Sequence, residues 1–149
     1  MKISARAEYA CSAVLELALN YGTDSPVRVQ DIAQRQGIPM KFLFQIMQIL
    51  KRVDIVRSRR GTEGGYTLSR PPGQITVGDV MRAVSGPFVQ LSCLDSGNFA
   101  EDCGKPNPCQ FKPIWAEVDR AIGAVLNNIT FEELVRRERA SQRQLMYHI

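Results

Sequence analysis

The chain has 149 residues, 44% hydrophobic and 23% charged, a globular composition that excludes a disordered or fibrous protein. No apolar run approaches the roughly 20 residues of a membrane span, and the opening Met1-Lys2-Ile3-Ser4-Ala5-Arg6 lacks the apolar stretch of a secretory signal, so a cytoplasmic location without a membrane partner is expected. The net charge of +4 is unevenly placed: residues 26–72 hold nine basic residues (Arg28, Arg35, Lys41, Lys51, Arg52, Arg57, Arg59, Arg60, Arg70) against Asp31, Asp54 and Glu63, a local +6 that leaves −2 elsewhere. A basic segment on a mildly acidic body is the footprint of a polyanion binder, and a solvated Arg-rich face is the alternative.

Residues 4–21 predict a helix, with Ala10, Ala13, Val14, Leu17, Ala18 and Tyr21 forming an amphipathic stripe. Cys11, beside Ala10, reads as a small core hydrophobe. Turn residues 22–26 end this helix. A short second helix covers 29–35, with Ile32 and Ala33 inward and Gly37 as its stop. Pro39 opens a third, because its fixed φ suits a first turn. There Leu43, Ile46, Met47 and Leu50 make a core stripe, and Lys41, Gln45, Gln48 and Arg52 lie opposite.

This spacing is that of a helix-turn-helix, whose second helix enters the DNA major groove. Glutamine pairs with adenine edges, and lysine or arginine with guanine or phosphate. Arg28, Met40, Lys41, Gln45 and Gln48 are therefore candidate DNA-binding residues. A plain three-helix core with a polar outer face has the same pattern. The next stretch tips the balance toward a winged helix. Strand patterns at 55–58 and 65–68 flank Arg59-Arg60-Gly61-Thr62-Glu63-Gly64, a hairpin whose arginines suit the minor groove. Arg59, Arg60, Gly61, Gly64 and Gly65 join the candidates. The glycines serve equally as turn residues and as points of close approach to phosphate.

Thr76 caps a fourth helix over 76–84, with Asp79 near its start. Gly86-Pro87 breaks it, and residues 92–108 read as a loop. Cys93, Cys103 and Cys109 fall within 17 residues, with gaps of nine and five. An odd number of thiols without a signal segment argues against an extracellular disulfide framework. Inert thiols, a redox disulfide, zinc and an iron–sulfur cluster remain open. The paired spacing usual for structural zinc is absent, and an uneven loop suits a larger object.

A long helix over 113–127 spreads Ile114, Trp115, Val118, Ala121, Ile122, Val125 and Leu126 over more than one face. No second sheet exists to cover them, so burial against another copy of the chain is expected. Thr130 and Glu133 suggest a capping box for a last helix over 131–139, followed by a frayed tail over 142–149. No nucleophile is paired with a base, and the single histidine, His148, lies at the end of the chain. Neither enzymatic activity nor a small-molecule substrate is expected.

The whole pattern resembles the IscR-type (Rrf-two) winged-helix transcription regulators, a family that includes NsrR, RirA and CymR relatives. The resemblance is carried by Met1-Lys2-Ile3-Ser4 with Glu8-Tyr9-Ala10, by Asp31-Ile32-Ala33, and by the wing Val56-Arg57-Ser58-Arg59-Arg60-Gly61 with Gly64-Gly65-Tyr66-Thr67-Leu68. Ile75-Thr76-Val77-Gly78-Asp79-Val80, the spaced cysteines and Leu126-Asn127-Asn128-Ile129-Thr130 complete it. It implies a mainly α fold with a small β-hairpin wing. The winged helix-turn-helix would occupy 1–85 (wing 55–69), a cysteine-bearing sensor loop 86–110, and a dimerisation helix plus C-terminal helix 111–149.

The resemblance further implies a cytoplasmic homodimer that reads a two-fold operator in double-stranded DNA under the control of an iron–sulfur cluster, 2Fe–2S favoured over 4Fe–4S. Cys93, Cys103 and Cys109 would be ligands. Where the isc regulator has a histidine ligand, this chain has Lys112. Glu8 of the partner subunit is then the candidate fourth ligand, with Asp95, Glu101 and Asp102 as rivals. Asp54 replaces a glycine usual between the recognition helix and the wing. A cluster-free regulator sensing through thiols or a partner protein is the first alternative. An iron–sulfur electron carrier and a zinc regulator follow.

Overall fold

A computed structural model describes residues 3–23, 25–61, 64–91 and 109–146. Cys93, Cys103, Asp95, Glu101 and Asp102 lie outside the described residues, as does His148.

The first helix, α1 (Ala5–Leu19), is capped by Ser4, whose hydroxyl accepts the Ala7 N–H at 3.2 Å. Its inner face is mostly small: Ala7, Ala10, Ala13 and Ala18 are buried with Val14 and Leu17. Short side chains let neighbouring backbones approach, and α1 packs against the next two helices, the second wing strand, the helix after the wing and the last helix of the chain. Helix α2 (Val29–Gln36) buries Ile32 and Ala33 and stops at Gly37, which adopts φ 63° in the left-handed region. Helix α3 (Met40–Arg52) follows with Pro39 as N-cap, and its stripe of Leu43, Ile46, Met47 and Leu50 is fully buried.

Strands β1 (Val56–Arg59) and β2 (Gly65–Leu68) form an antiparallel hairpin with Val56 opposite Leu68 and Arg59 opposite Gly65. Val56, Tyr66 and Leu68 turn inward, and Arg57, Ser58 and Arg59 face out. Val27 adds a bridge to the far side of β2, exchanging both backbone hydrogen bonds with Tyr66 at 2.9 and 2.8 Å. The wing is thereby tied to the segment that leads into α2.

A short 3₁₀ turn (Pro72–Gln74) precedes α4 (Val77–Ser85). The Thr76 hydroxyl accepts the Asp79 N–H, and the Asp79 carboxylate accepts the Thr76 N–H, closing a capping box. Two further helices follow among the described residues, α5 (Phe111–Asn127) and α6 (Phe131–Met146). Thr76 and Thr130 form a bridge, flanked by Val77 N–H to the Ile129 carbonyl at 2.9 Å and Phe131 N–H to the Ile75 carbonyl at 3.0 Å. Phe131 and Val135 enter the same core as Ile75 and Val80.

Helix α6 runs to Met146, whereas the sequence suggests fraying from residue 142. The extension is held by strong helix formers and an i,i+4 bond from Gln142 Nε2 to Glu138 Oε1 at 3.2 Å. Its expected capping box is half formed. The Thr130 hydroxyl accepts the Glu133 N–H, but the Glu133 carboxylate pairs with Arg136 and Arg137 instead.

Candidate nucleic-acid interface and cysteine site

The outward strip of α3 consists of Lys41, Gln45, Gln48 and Arg52, all exposed. Met40 begins the helix half-buried against the core. No acidic residue lies on α3, so nothing on its surface repels phosphate. Arg28 is exposed at the N-cap of α2. Arg59, Arg60 and Gly61 are exposed along the wing. Lys51 Nζ donates to Ser58 Oγ at 2.7 Å and fixes the wing strand to the end of α3.

Two more of the basic residues in the +6 segment serve the scaffold. Arg70 donates to the Asp54 carbonyl at 3.0 Å and to the Gln74 carbonyl at 3.1 Å, bracing the turn between α3 and β1. Arg35 pairs with buried Glu16 at 2.6 Å. The wing glycines also have structural work. A Cβ on Gly65 would stand 2.4 Å from the Val27 carbonyl oxygen, and one on Gly64 would stand 2.8 Å from that of Arg59. Gly61 has φ 120°, a conformation that suits glycine, and a Cβ placed there would meet no atom within 4 Å.

Phe42 and Phe44 were not among the sequence-derived candidates. They are 51% and 45% exposed and flank the polar strip of α3. Both fall outside the 43/46/47/50 stripe, which is the signal that reveals them.

Around the cysteine segment, Cys109 precedes Gln110, the N-cap of α5, and is half-buried with a free thiol; its carbonyl accepts the Lys112 N–H at 3.3 Å. The other end of the segment is clasped to α5. The Val89 N–H donates to Asp119 Oδ1 at 2.8 Å. Arg82 lies 5.4 Å from the Phe88 ring centroid and donates to Asn127 Oδ1 at 2.6 Å. Glu8 is exposed in the first turn of α1. Cys11 packs against the core, and burial pushes its thiol up to about 11, as suits an inert thiol. No group of three metal-ligating side chains occurs among the described residues.

A family description, Rrf2 iron-dependent transcriptional regulator, matches residues 3–137. The chain belongs to the Rrf2 family. It is 36% identical over 135 residues to the IscR transcriptional regulator of Cronobacter sakazakii, covering 91% of this chain and 80% of that one. Its fold matches that of IscR from T. potens with a TM-score of 0.76 at 30% identity, over 95% of this chain and 91% of the other. CymR of B. subtilis, described as a global cysteine regulator, matches with a TM-score of 0.72 at 30% identity, over 92% and 98% of the two chains. This Rrf2 protein is thus a winged-helix, DNA-binding transcription regulator, not an enzyme. No described helix is long and apolar enough to cross a membrane.

Proposed function

We propose that this Rrf2 regulator works in the cytoplasm as a homodimer, with paired α3 helices on a two-fold operator and an iron–sulfur cluster controlling its affinity. The observation that carries the reading is the junction at α5. Cys109 lies two residues before the start of this helix, and Val89, at the other end of the cysteine segment, is held by Asp119 of the same helix. Phe111, Ile114, Trp115 and Val125 on α5 are 59%, 50%, 40% and 61% exposed in a single chain. A contiguous apolar face of this size calls for a partner, and a second copy supplies a matching one.

Cys93, Cys103 and Cys109 would hold the cluster, 2Fe–2S rather than 4Fe–4S, with Glu8 of the partner subunit as fourth ligand. The free, half-buried thiol of Cys109 and the exposed carboxylate of Glu8 suit that donor set. When bound, a cluster supplies a redox-sensitive link between the loop and the dimer seam. The chain's own residues do the rest. Asp119 and Arg82 hold the base of the loop to α5. The seam sets the separation of the two α3 helices, which must match one turn of DNA, about 34 Å. In each subunit Lys41, Gln45, Gln48 and Met40 would face the major groove. Arg59, Arg60 and Gly61, with Gly64 and Gly65 behind them, would shape the wing against the minor groove, and Arg28 would meet phosphate.

The test is anaerobic purification with iron, sulfide and absorption analysis, followed by operator binding with and without the cluster. Iron and sulfide in equal amounts, lost in Cys103→Ser along with the change in affinity, are expected. A colourless protein without iron after anaerobic reconstitution would favour the thiol-sensing reading, which the likeness to the B. subtilis cysteine regulator supports.

A further inference from the structure

Phe42 and Phe44 are large aromatic side chains left half in solvent on the helix that carries Lys41, Gln45, Gln48 and Arg52. The core explains neither. Leu43 between them is fully buried, and Ile46, Met47 and Leu50 complete the inner stripe without them. Leaving two phenyl rings wet forgoes apolar burial, so an occupant that covers them gains it.

Their positions are specific. Phe42 precedes Gln45 by three residues, and Phe44 precedes Gln48 by four. Residues three or four apart on a helix are surface neighbours, with Cβ atoms about 5–6 Å apart. Each phenyl ring therefore stands beside a carboxamide. An A·T base pair shows the same pair of chemistries in the major groove: the N6 and N7 edge of adenine, which a carboxamide reads bidentately, and the 5-methyl group of thymine, which an apolar side chain covers.

We propose that Phe42 with Gln45 and Phe44 with Gln48 form two aromatic–amide pairs that each read an A·T base pair, the phenyl ring covering the thymine methyl. The assignment rests on α3 entering the major groove. Charge selects duplex DNA as the occupant over an apolar protein face. Lys41 and Arg52 share α3 with the rings, the exposed wing arginines follow it in the chain, and α3 carries no acid. The half-site therefore contains two A·T pairs whose methyl groups contribute to affinity. The methyl preference is built by the two rings, which lie off the polar strip.

The experiment uses the full chain, purified anaerobically, to select duplexes from a random library. The best duplex is remade with deoxyuridine in place of thymine at one position at a time, which removes only the methyl group. The wild type should lose about fourfold in affinity at one thymine for each ring, the equivalent of one buried methyl. Phe44→Ala should bind the thymine duplex more weakly and become indifferent to deoxyuridine at one of these positions, with Phe42→Ala indifferent at the other. Phe44→Leu should retain part of the sensitivity. Melting temperatures equal to wild type show that the variants fold. Alanine variants as sensitive to deoxyuridine as the wild type, or a wild type sensitive at no thymine, overturn the proposal. Failure of the wild type to enrich any duplex overturns the DNA reading beneath it, and is distinguished because no variant is then needed to see it.

Discussion

The carboxylate of Glu16 on α1 receives the Arg35 guanidinium of α2 at 2.6 Å. Gln36 Nε2 reaches the other oxygen at 3.1 Å, and Asn20 Nδ2 lies 3.4 Å from the first. Glu16 is the one buried charged residue among the described residues, and it is held by side chains from both helices. It joins the first helix of the helix-turn-helix to α1, the helix that also carries Glu8. The carboxylate raises the Arg35 pKa, chiefly through their hydrogen bond. Glu16→Ala leaves Gln36 and Asn20 without this acceptor and should lower the melting temperature by roughly 5 °C or more. Glu16→Gln should lie between that variant and wild type.

The close approach of β2 to Val27 separates scaffold from contact residues in the wing. Gly65→Ala drives a Cβ to 2.4 Å from the Val27 backbone oxygen, which also accepts the Tyr66 N–H. The Val27–Tyr66 bridge should open at a cost of about 1–3 kcal/mol, seen in urea denaturation. Arg60→Ala, on the exposed loop, should leave the denaturation midpoint unchanged while weakening operator binding and its salt dependence.

Asp54 occupies the turn between α3 and β1 with φ 54°, the single positive-φ residue other than glycine among the described residues. Asp tolerates this region better than most residues but still costs about 1–2 kcal/mol relative to a right-handed conformation. The brace from Arg70 goes to the Asp54 backbone carbonyl and survives substitution. The ion pair to Arg57 at 3.7 Å is exposed on both sides and contributes little. Asp54→Gly should therefore stabilise the protein by about 1 kcal/mol, and Asp54→Val should destabilise it, as measured by chemical denaturation.

The elements that were legible in the sequence are those fixed by local chemistry. The 43/46/47/50 stripe, the Gly37 stop and the Thr76–Asp79 box each need only neighbours a turn away. The departure at Asp54 was visible as a missing glycine, and its backbone conformation shows why glycine suits the place. Helix α5 begins at Phe111 because Pro113 sits comfortably inside a first turn, so reading the proline as the start placed the boundary two residues late. What escaped depends on partners distant in sequence. Arg35 and Arg70 add to any count of positive charge, yet one serves Glu16 and the other the turn at Asp54. Glu16 sits among Ala13 and Leu17 on a face that pattern alone would reserve for apolar residues. Phe42 and Phe44 look like core residues by type, and only their angle around α3 puts them outside.

The Asp79 carboxyl links α4 stability to pH. Burial opposes its ionisation and is the largest single effect. The Thr76 N–H and hydroxyl bonds, with Arg82 and Arg70 nearby, together outweigh it and hold the pKa below the usual value. A depressed folded-state pKa favours the native state above the unfolded value, about 3.9, and that contribution is lost as pH falls through the folded value. Asp79→Asn should therefore lower the melting temperature at neutral pH and flatten its decline below about pH 4. A decline as steep as that of the wild type would assign the acid sensitivity to other carboxylates.

The exposed face of α5 gives the most direct test of assembly. Trp115 and Ile114 are adjacent, Phe111 lies one turn earlier, and Val125 stands near the other end of the helix. None contributes to the core that holds α1 to α4 together. A carboxylate placed there costs a single folded chain little, because the site is already in water, but it buries an unpaired charge in any helix-to-helix seam. Trp115→Asp with Val125→Asp should therefore convert a dimer into a folded monomer in sedimentation equilibrium, with helical content retained by circular dichroism. Operator affinity should fall far more than stability, because two half-sites are then bound independently and the gain from linking them disappears. A double variant that remains dimeric would move the seam to another surface of the molecule.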